Sequence, residues 1–143
     1  MKKHIRNINV FLDANVIIDY MLPRKHHSKN AASLFDEAKK VSVYVCSFTF
    51  AIVYHHMRKK NISHSRALHQ LEQLFQKVVC LSVNDEIIQK ALKSGFNDFE
   101  DAIQYFCALQ VPNCEAIISR DRRGFHLSAI PAISPNEFLS KEF

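Results

Sequence analysis

The sequence predicts an α/β fold in which a central, mostly parallel sheet of about five strands is flanked by helices. Two observations predict it. Short runs rich in β-branched residues alternate with longer segments of helical periodicity, the pattern of parallel strands joined by crossover helices. The balance of 48% hydrophobic and 23% charged residues is that of a chain with enough apolar surface to offset its conformational entropy, which excludes disorder for most of its length. The 143 residues suit one domain, 1–143. With two glycines and four prolines, collagen, low-complexity and all-β meander readings are poor.

The first strand is the apolar run Ile8-Asn9-Val10-Phe11-Leu12, ending at Asp13. A second apolar stretch, Val16-Ile17-Ile18, follows without an assigned element. Ser28–Lys40 reads as a helix, with a cap-like Ser and Ala31, Ala32, Leu34, Phe35 and Ala38 at helical spacing. Val41–Cys46 is the second strand, and Phe48–Lys60 the helix after it. Ser63–Gln76 carries Ala67, Leu68, Leu71, Leu74 and Phe75 on a helical stripe. Val78–Val83 is a strand. Asn84–Ser94 is a helix with an Asn cap and Gly95 as a left-handed terminator. Asp98–Val111 is a helix, Glu115–Ser119 a strand, Ala129–Ile133 an edge strand because of Pro131, and Pro135–Lys141 a closing helix.

The net charge is +5, unevenly spread: residues 1–60 hold eleven Lys/Arg against four Asp/Glu, residues 61–143 eight against ten. A basic half suits an anionic partner, most simply nucleic acid, although surface lysines alone also produce it. Cys46, Cys80, Cys107 and Cys114 contain no C-x-x-C, which argues against a thiolate zinc site. Cys46 and Cys80 sit in apolar runs and read as buried thiols of a reducing compartment. Met1-Lys2-Lys3-His4 is basic, but Asn9, Asp13, Asn15 and Asp19 interrupt any signal core, and no apolar run approaches a membrane span. The expected location is the cytoplasm.

Sites in open α/β sheets form beyond the carboxyl ends of the strands. Asp13 ends the first strand there, and Asp121 follows the Ala-Ile-Ile-Ser strand. Asp98 and Asp101 open a helix at i, i+3 spacing, which places them on one face with Glu100 pointing elsewhere. Carboxylates gathered in a cleft repel one another unless a cation intervenes, and Mg2+ or Mn2+ prefers such oxygen donors. A cation of that kind activates water and neutralises a transferring phosphoryl group. Each acid has a plainer reading: Asp98 as a helix cap, Asp121 as a solvated turn paired with arginines. Asp13 is harder to explain away, because an unpaired carboxylate between two apolar runs is costly.

With these acids in view, the chain resembles the PIN-domain family, including toxin nucleases of the VapC type. Phe11-Leu12-Asp13-Ala14-Asn15-Val16-Ile17-Ile18-Asp19 is similar to its opening motif. Asp98-Phe99-Glu100-Asp101-Ala102-Ile103-Gln104 is similar to the motif of its third acid, and Ile117-Ile118-Ser119-Arg120-Asp121 to that of its fourth. The resemblance spans residues 8–140. It implies a three-layer PIN-like fold and metal-dependent cleavage of RNA. Asp13, Asp101 and Asp121 would be metal ligands, Asp98 a supporting acid, and Asn15 and Ser119 positioning groups. It also implies a small antitoxin as a partner and a homodimer. Arg120, Arg122 and Arg123, flanking Asp121, are the candidates for holding substrate phosphates.

One departure stands out. The family places a second acid, a Glu, early in the helix after the second strand; here that position is Ile52, and no acid occurs in residues 40–71. An inactive PIN-like module that binds RNA or a protein partner is therefore the rival reading. A phosphatase with Asp13 as nucleophile is weaker, because Asn15 stands where a general acid is needed. A dinucleotide enzyme is weaker still, for want of a Gly-rich loop. The pairs His26-His27 and His55-His56 lack zinc spacing. Arg24, Lys25, His26, His27 and Lys29 form a basic loop, and Arg58, Lys59 and Lys60 suit a helix C-terminus.

Overall fold

The computed structural model describes residues 8–22, 27–36 and 40–141. Its strands are β1 (Ile8–Leu12), β2 (Val41–Cys46), β3 (Val79–Leu81), β4 (Cys114–Ile118) and β5 (Ala132–Ile133). They form one sheet in the order β3-β2-β1-β4-β5, and every pairing is parallel. The helices among the described residues are α1 (Ala14–Met21), α2 (Ser28–Ser33), α3 (Thr49–Lys59), α4 (His64–Lys77), α5 (Asp85–Leu92), α6 (Phe99–Ala108) and α7 (Pro135–Leu139).

Alternation along the strands feeds two cores. Val10 and Leu12 of β1 join Val43 and Val45 of β2 and Ala116 and Ile118 of β4 on one face. Val16 and Ile17 of α1, Val53 and Met57 of α3, and Leu71 and Leu74 of α4 cover that face. Phe11, Cys46 and Ile117 point to the other, where Tyr105, Cys107 and Ala108 of α6 cover them. With helices on both sides, the strands read as near-continuous apolar runs. α5 packs outside α6 through Ile87, Ala91, Ala102 and Ile103.

β1 is central. The chain runs from it outward through β2 and β3, then crosses back to β4 and β5, so the order reverses between β1 and β4. Leu12 pairs with Ile118 in the β1–β4 register, so Asp13 and Ser119 leave their strands side by side.

Several sequence expectations change. The β-branched run Val16-Ile17-Ile18, to which the sequence assigns no element, lies in α1, an eight-residue helix that Asp13 caps and that burial against the sheet holds. The helix expected over 28–40 stops at Ser33, and its residues 37–39 lie outside the described residues. β3 and β5 are shorter than expected; β5 is an edge strand, and Pro131, without an N–H, stays outside it. Gly95 is not a left-handed terminator, since neither glycine has positive φ. α5 instead ends earlier, at Lys93 with φ −100° and ψ 1°, and Gly95 makes room for Leu127. Cys80 is half-buried, as befits the sheet-edge strand β3, and all four cysteines are free. The basic residues Arg24, Lys25 and His26, and the N-terminal Lys2 and Lys3, lie outside the described residues. Among the described residues no helix is long and apolar enough to cross a membrane.

One ion pair ties the sheet to α1. Arg120, just after β4, donates from Nε to the Asp19 carboxylate at 2.5 Å and from Nη2 at 3.3 Å, and Asp19 is only 1% exposed. Arg122 pairs with Glu137 at 2.8 Å, but both side chains are well exposed. Arg120→Ala is therefore expected to cost about 2–3 kcal/mol, since it strips a buried carboxylate of its guanidinium. Arg122→Ala should cost under about 1 kcal/mol. Urea unfolding of the two variants measures the difference.

Candidate functional site

Asp13 follows β1 in extended conformation (φ −62°, ψ 147°) and caps α1. It is 5% exposed, and a carboxylate so buried needs donors. Ser119 Oγ donates to its Oδ2 at 2.6 Å, Gln104 Nε2 to its Oδ1 at 2.9 Å, and the Asn15 N–H to Oδ1 at 3.4 Å. Burial pushes its pKa up, and the hydrogen bonds from Ser119 and Gln104 pull it back. Gln104 is itself fixed, because its Oε1 accepts the Ala14 N–H at 2.9 Å. The Ser119 hydroxyl has one proton, and the short bond to Asp13 takes it in preference to the 3.3 Å approach to the Asp121 carbonyl. Its oxygen accepts the Asp121 N–H at 3.0 Å.

Asp98 is the N-cap of α6, accepting the Asp101 N–H at 3.0 Å. Asp121 precedes a single 3-10 turn, Arg122–Phe125, and makes no side-chain cap. Asp13, Asp98, Glu100, Asp101 and Asp121 all line one open notch of about 360 Å3, together with Asn15, Ile52, His56 and Gln104. Glu100 thus shares the notch, contrary to expectation. Asp98 is a non-helical cap (φ −128°, ψ 129°), so the i, i+3 rule does not set which side chains face together there.

Gly124 brings two of the acids close. A Cβ on it would lie 2.3 Å from Asp101 Oδ2 and 3.5 Å from Asp121 Oδ2, so both carboxylates crowd one point beside its backbone. Burial, then the charges of Asp13, Asp98, Asp121 and Glu100, push the Asp101 carboxyl up to about 7. Burial, then Asp98 and Asp13, likewise raises Glu100.

The donors suit a hard divalent cation, since carboxylate oxygens dominate and no thiol takes part. Asn15 Oδ1 adds an orphan acceptor, buried and without a hydrogen-bond partner among the described residues. Among those residues no three His, Cys, Asp or Glu side chains are already arranged around a single ion position. The set fits such an ion in chemistry, and the exposed Asp121 and half-buried Asp101 would have to close on it.

A sequence model described as "PIN domain" matches residues 9–123, which contain the whole notch. The chain belongs to the PIN-domain family. Solved structures share the fold. The VapBC2 structure from Rickettsia felis, bound to a promoter DNA fragment, matches with a TM-score of 0.63 and 11% identity, covering 89% of this chain and 98% of that one. A toxin–antitoxin complex from Klebsiella pneumoniae gives 0.64 and 18%, covering 88% and 97%. VapC20 of Mycobacterium tuberculosis, a toxin that cleaves the sarcin–ricin loop, gives 0.59 and 13%, covering 76% and 86%. No curated protein sequence matches the chain.

Among the residues named from this PIN sequence, Asp13, Asn15, Asp98, Asp101 and Asp121 line the notch, and Ser119 reaches it through Asp13. Arg120 turns to Asp19 and Arg122 to Glu137, while Arg123 is exposed; none of the three lines the notch. Gln104 was missed as a site residue. Its signal was its place three residues after Asp101, on the same face of α6.

Asp101 keeps its proton more readily folded than unfolded, so the folded state loses stability as pH climbs from about 4 through about 7. Asp101→Asn removes that loss. With EDTA present, the variant is expected to melt about 2–4 °C above the parent at pH 8, where relief of roughly 1 kcal/mol remains after solvent screening. At pH 4 the two should melt nearly together, as differential scanning calorimetry would show.

Proposed function

We propose that the chain is a divalent-cation-dependent endoribonuclease and the toxin of a toxin–antitoxin pair. The observation that carries this reading is the convergence of Asp13, Asp101 and Asp121 from three separate segments on one notch. Those three would hold Mg2+ or Mn2+, with Asp98 supporting. Such a cation supplies charge neutralisation at a phosphodiester and a more acidic bound water. The chain's own groups do the positioning. Ser119 and Gln104 fix both oxygens of Asp13. Asn15 offers its orphan Oδ1 as an acceptor for a water in the notch. Gly124 lets the turn after Asp121 close on Asp101 without a clash. The likeness to VapBC2 and to the Klebsiella complex supports a small antitoxin as partner.

A second reading is favoured by Ile52, which lines the notch where the resemblance calls for an acid. An apolar wall weakens cation binding, and the chain would then be a PIN module that binds RNA or a protein without cutting.

Asp13→Asn should lower Mn2+-dependent cleavage of single-stranded RNA by ~100-fold or more while the circular dichroism spectrum is unchanged. Cleavage equal to the parent's would remove the catalytic claim. Ile52→Glu separates the two readings. If the acid set is depleted, it should tighten Mn2+ binding in calorimetric titration and raise cleavage several-fold; an unaltered titration would argue that the site is complete as it stands.

A further inference from the structure

A second pocket, of about 300 Å3, opens beside the notch and is lined by His27, Asn30, Arg120, Ser134, Pro135 and Asn136. Asp121 and Ile18 line the notch, whereas Arg120 lines the pocket and is held there by Asp19. Each of these pairs is consecutive in the chain, and consecutive Cα atoms lie about 3.8 Å apart. The two cavities are therefore neighbours, within reach of one RNA strand. Their chemistry differs. Asp19 engages Arg120 through Nε and Nη2, which offsets the guanidinium charge and leaves Nη1 unengaged among the described residues. The Asn30 and Asn136 carboxamides have no hydrogen-bond partner among those residues either, and each offers two N–H donors and a carbonyl acceptor. Ser134 Oγ accepts the Glu137 N–H at 3.1 Å and keeps its own proton to donate. Buried Pro135 adds an apolar surface. No carboxylate lines this pocket, so nothing in it calls for a metal ion. A polar set of little net charge suits a neutral planar group with donors and acceptors along its edge, which describes a nucleobase better than a phosphate.

We propose that this pocket takes the base of a nucleotide next to the phosphodiester held in the notch, with Asn30 and Asn136 reading its edge, Arg120 Nη1 donating to a ring nitrogen or carbonyl oxygen, and Pro135 supporting its face. The assignment rests on reading the notch as an RNA-cleaving site, and it gives that site a base preference. The substrate is then unpaired RNA, because a base must leave its stack to enter a pocket. Arg120 serves twice: two of its nitrogens stabilise buried Asp19, and the third faces the RNA.

The test uses the full chain and short fluorescein-labelled RNAs: oligoadenylate, oligocytidylate, oligouridylate and a guanosine–adenosine repeat. Ca2+ is present in place of Mn2+, binding is read by anisotropy, and RNA integrity is checked on a gel. The parent should bind one of the four about fivefold or more tighter than the weakest. Asn30→Ala with Asn136→Ala should raise Kd for the preferred RNA about tenfold and bring the four close to equality. Arg120→Lys, which keeps a cation beside Asp19 but loses Nη1, should narrow the spread as well. Lys90→Ala, which removes a lysine paired with Glu86 on α5, should change nothing. Thermal melts show that each variant folds. A parent without base preference, or a double variant that weakens all four RNAs equally, would overturn the base-reading role. A double variant with the parent's Kd values would also overturn it and leave the pocket to a protein partner; cleavage by the parent would then keep the nuclease reading standing. If the parent shows a preference that the double variant loses, yet never cleaves in Mn2+, the pocket stands and the nuclease reading falls. If the parent neither binds nor cleaves RNA, both fail.

Discussion

A carboxylate taken out of water must find donors, and Asp13 finds two on distant parts of the chain and a third on the adjoining helix. Ser119 comes from the end of β4, Gln104 from the second turn of α6, and the Asn15 N–H from the start of α1. Each bond is individually modest, but leaving any buried oxygen of a charged group unmet costs several times more than a neutral bond returns. The arrangement therefore locks β1, β4, α1 and α6 to one point. Everything else in the notch is placed relative to it: Asp101 lies one helical turn before Gln104, and Asp121 lies two residues beyond Ser119.

The electrostatic character of the cleft follows from that lock. Asp98, Glu100 and Asp101 cluster at the N-terminus of α6, where the helix dipole favours negative charge. The dipole offsets part of their repulsion, yet Asp101 still sits near neutrality in its titration. α3 borders the same notch without a carboxylate. Its buried face, Val53 and Met57, belongs to the core, and its notch face presents Ile52 and His56. The arginines beside Asp121 show how misleading proximity in sequence is: adjacent side chains leave a strand end in different directions, and Arg120 serves the buried Asp19 instead.

Much of this was legible in the sequence. Alternating β-rich and helical segments determined an α/β layering, because periodicity of 2 and of 3.6 reflects which faces must be buried. Asp13 and Asp121 were readable as site residues because polar groups ending apolar strands are costly anywhere but at a functional edge, and Asp98 was readable equally as the cap it is. What the sequence left undecided has a common physical origin, the dependence of side-chain direction on partners far away in the chain. α1 is a helix because a capping carboxylate and a sheet surface hold a β-branched run that locally favours extension. Glu100 enters the notch because Asp98 is a cap and not a helical residue. Gln104 gains its role only when α6 lies over the end of β1, and Gly124 only when its turn meets Asp101. Sequence thus determined which groups carry charge and which segments pair; tertiary structure alone decided which charges share a cleft, since that depends on strand order and register, which bring residues about a hundred positions apart into contact.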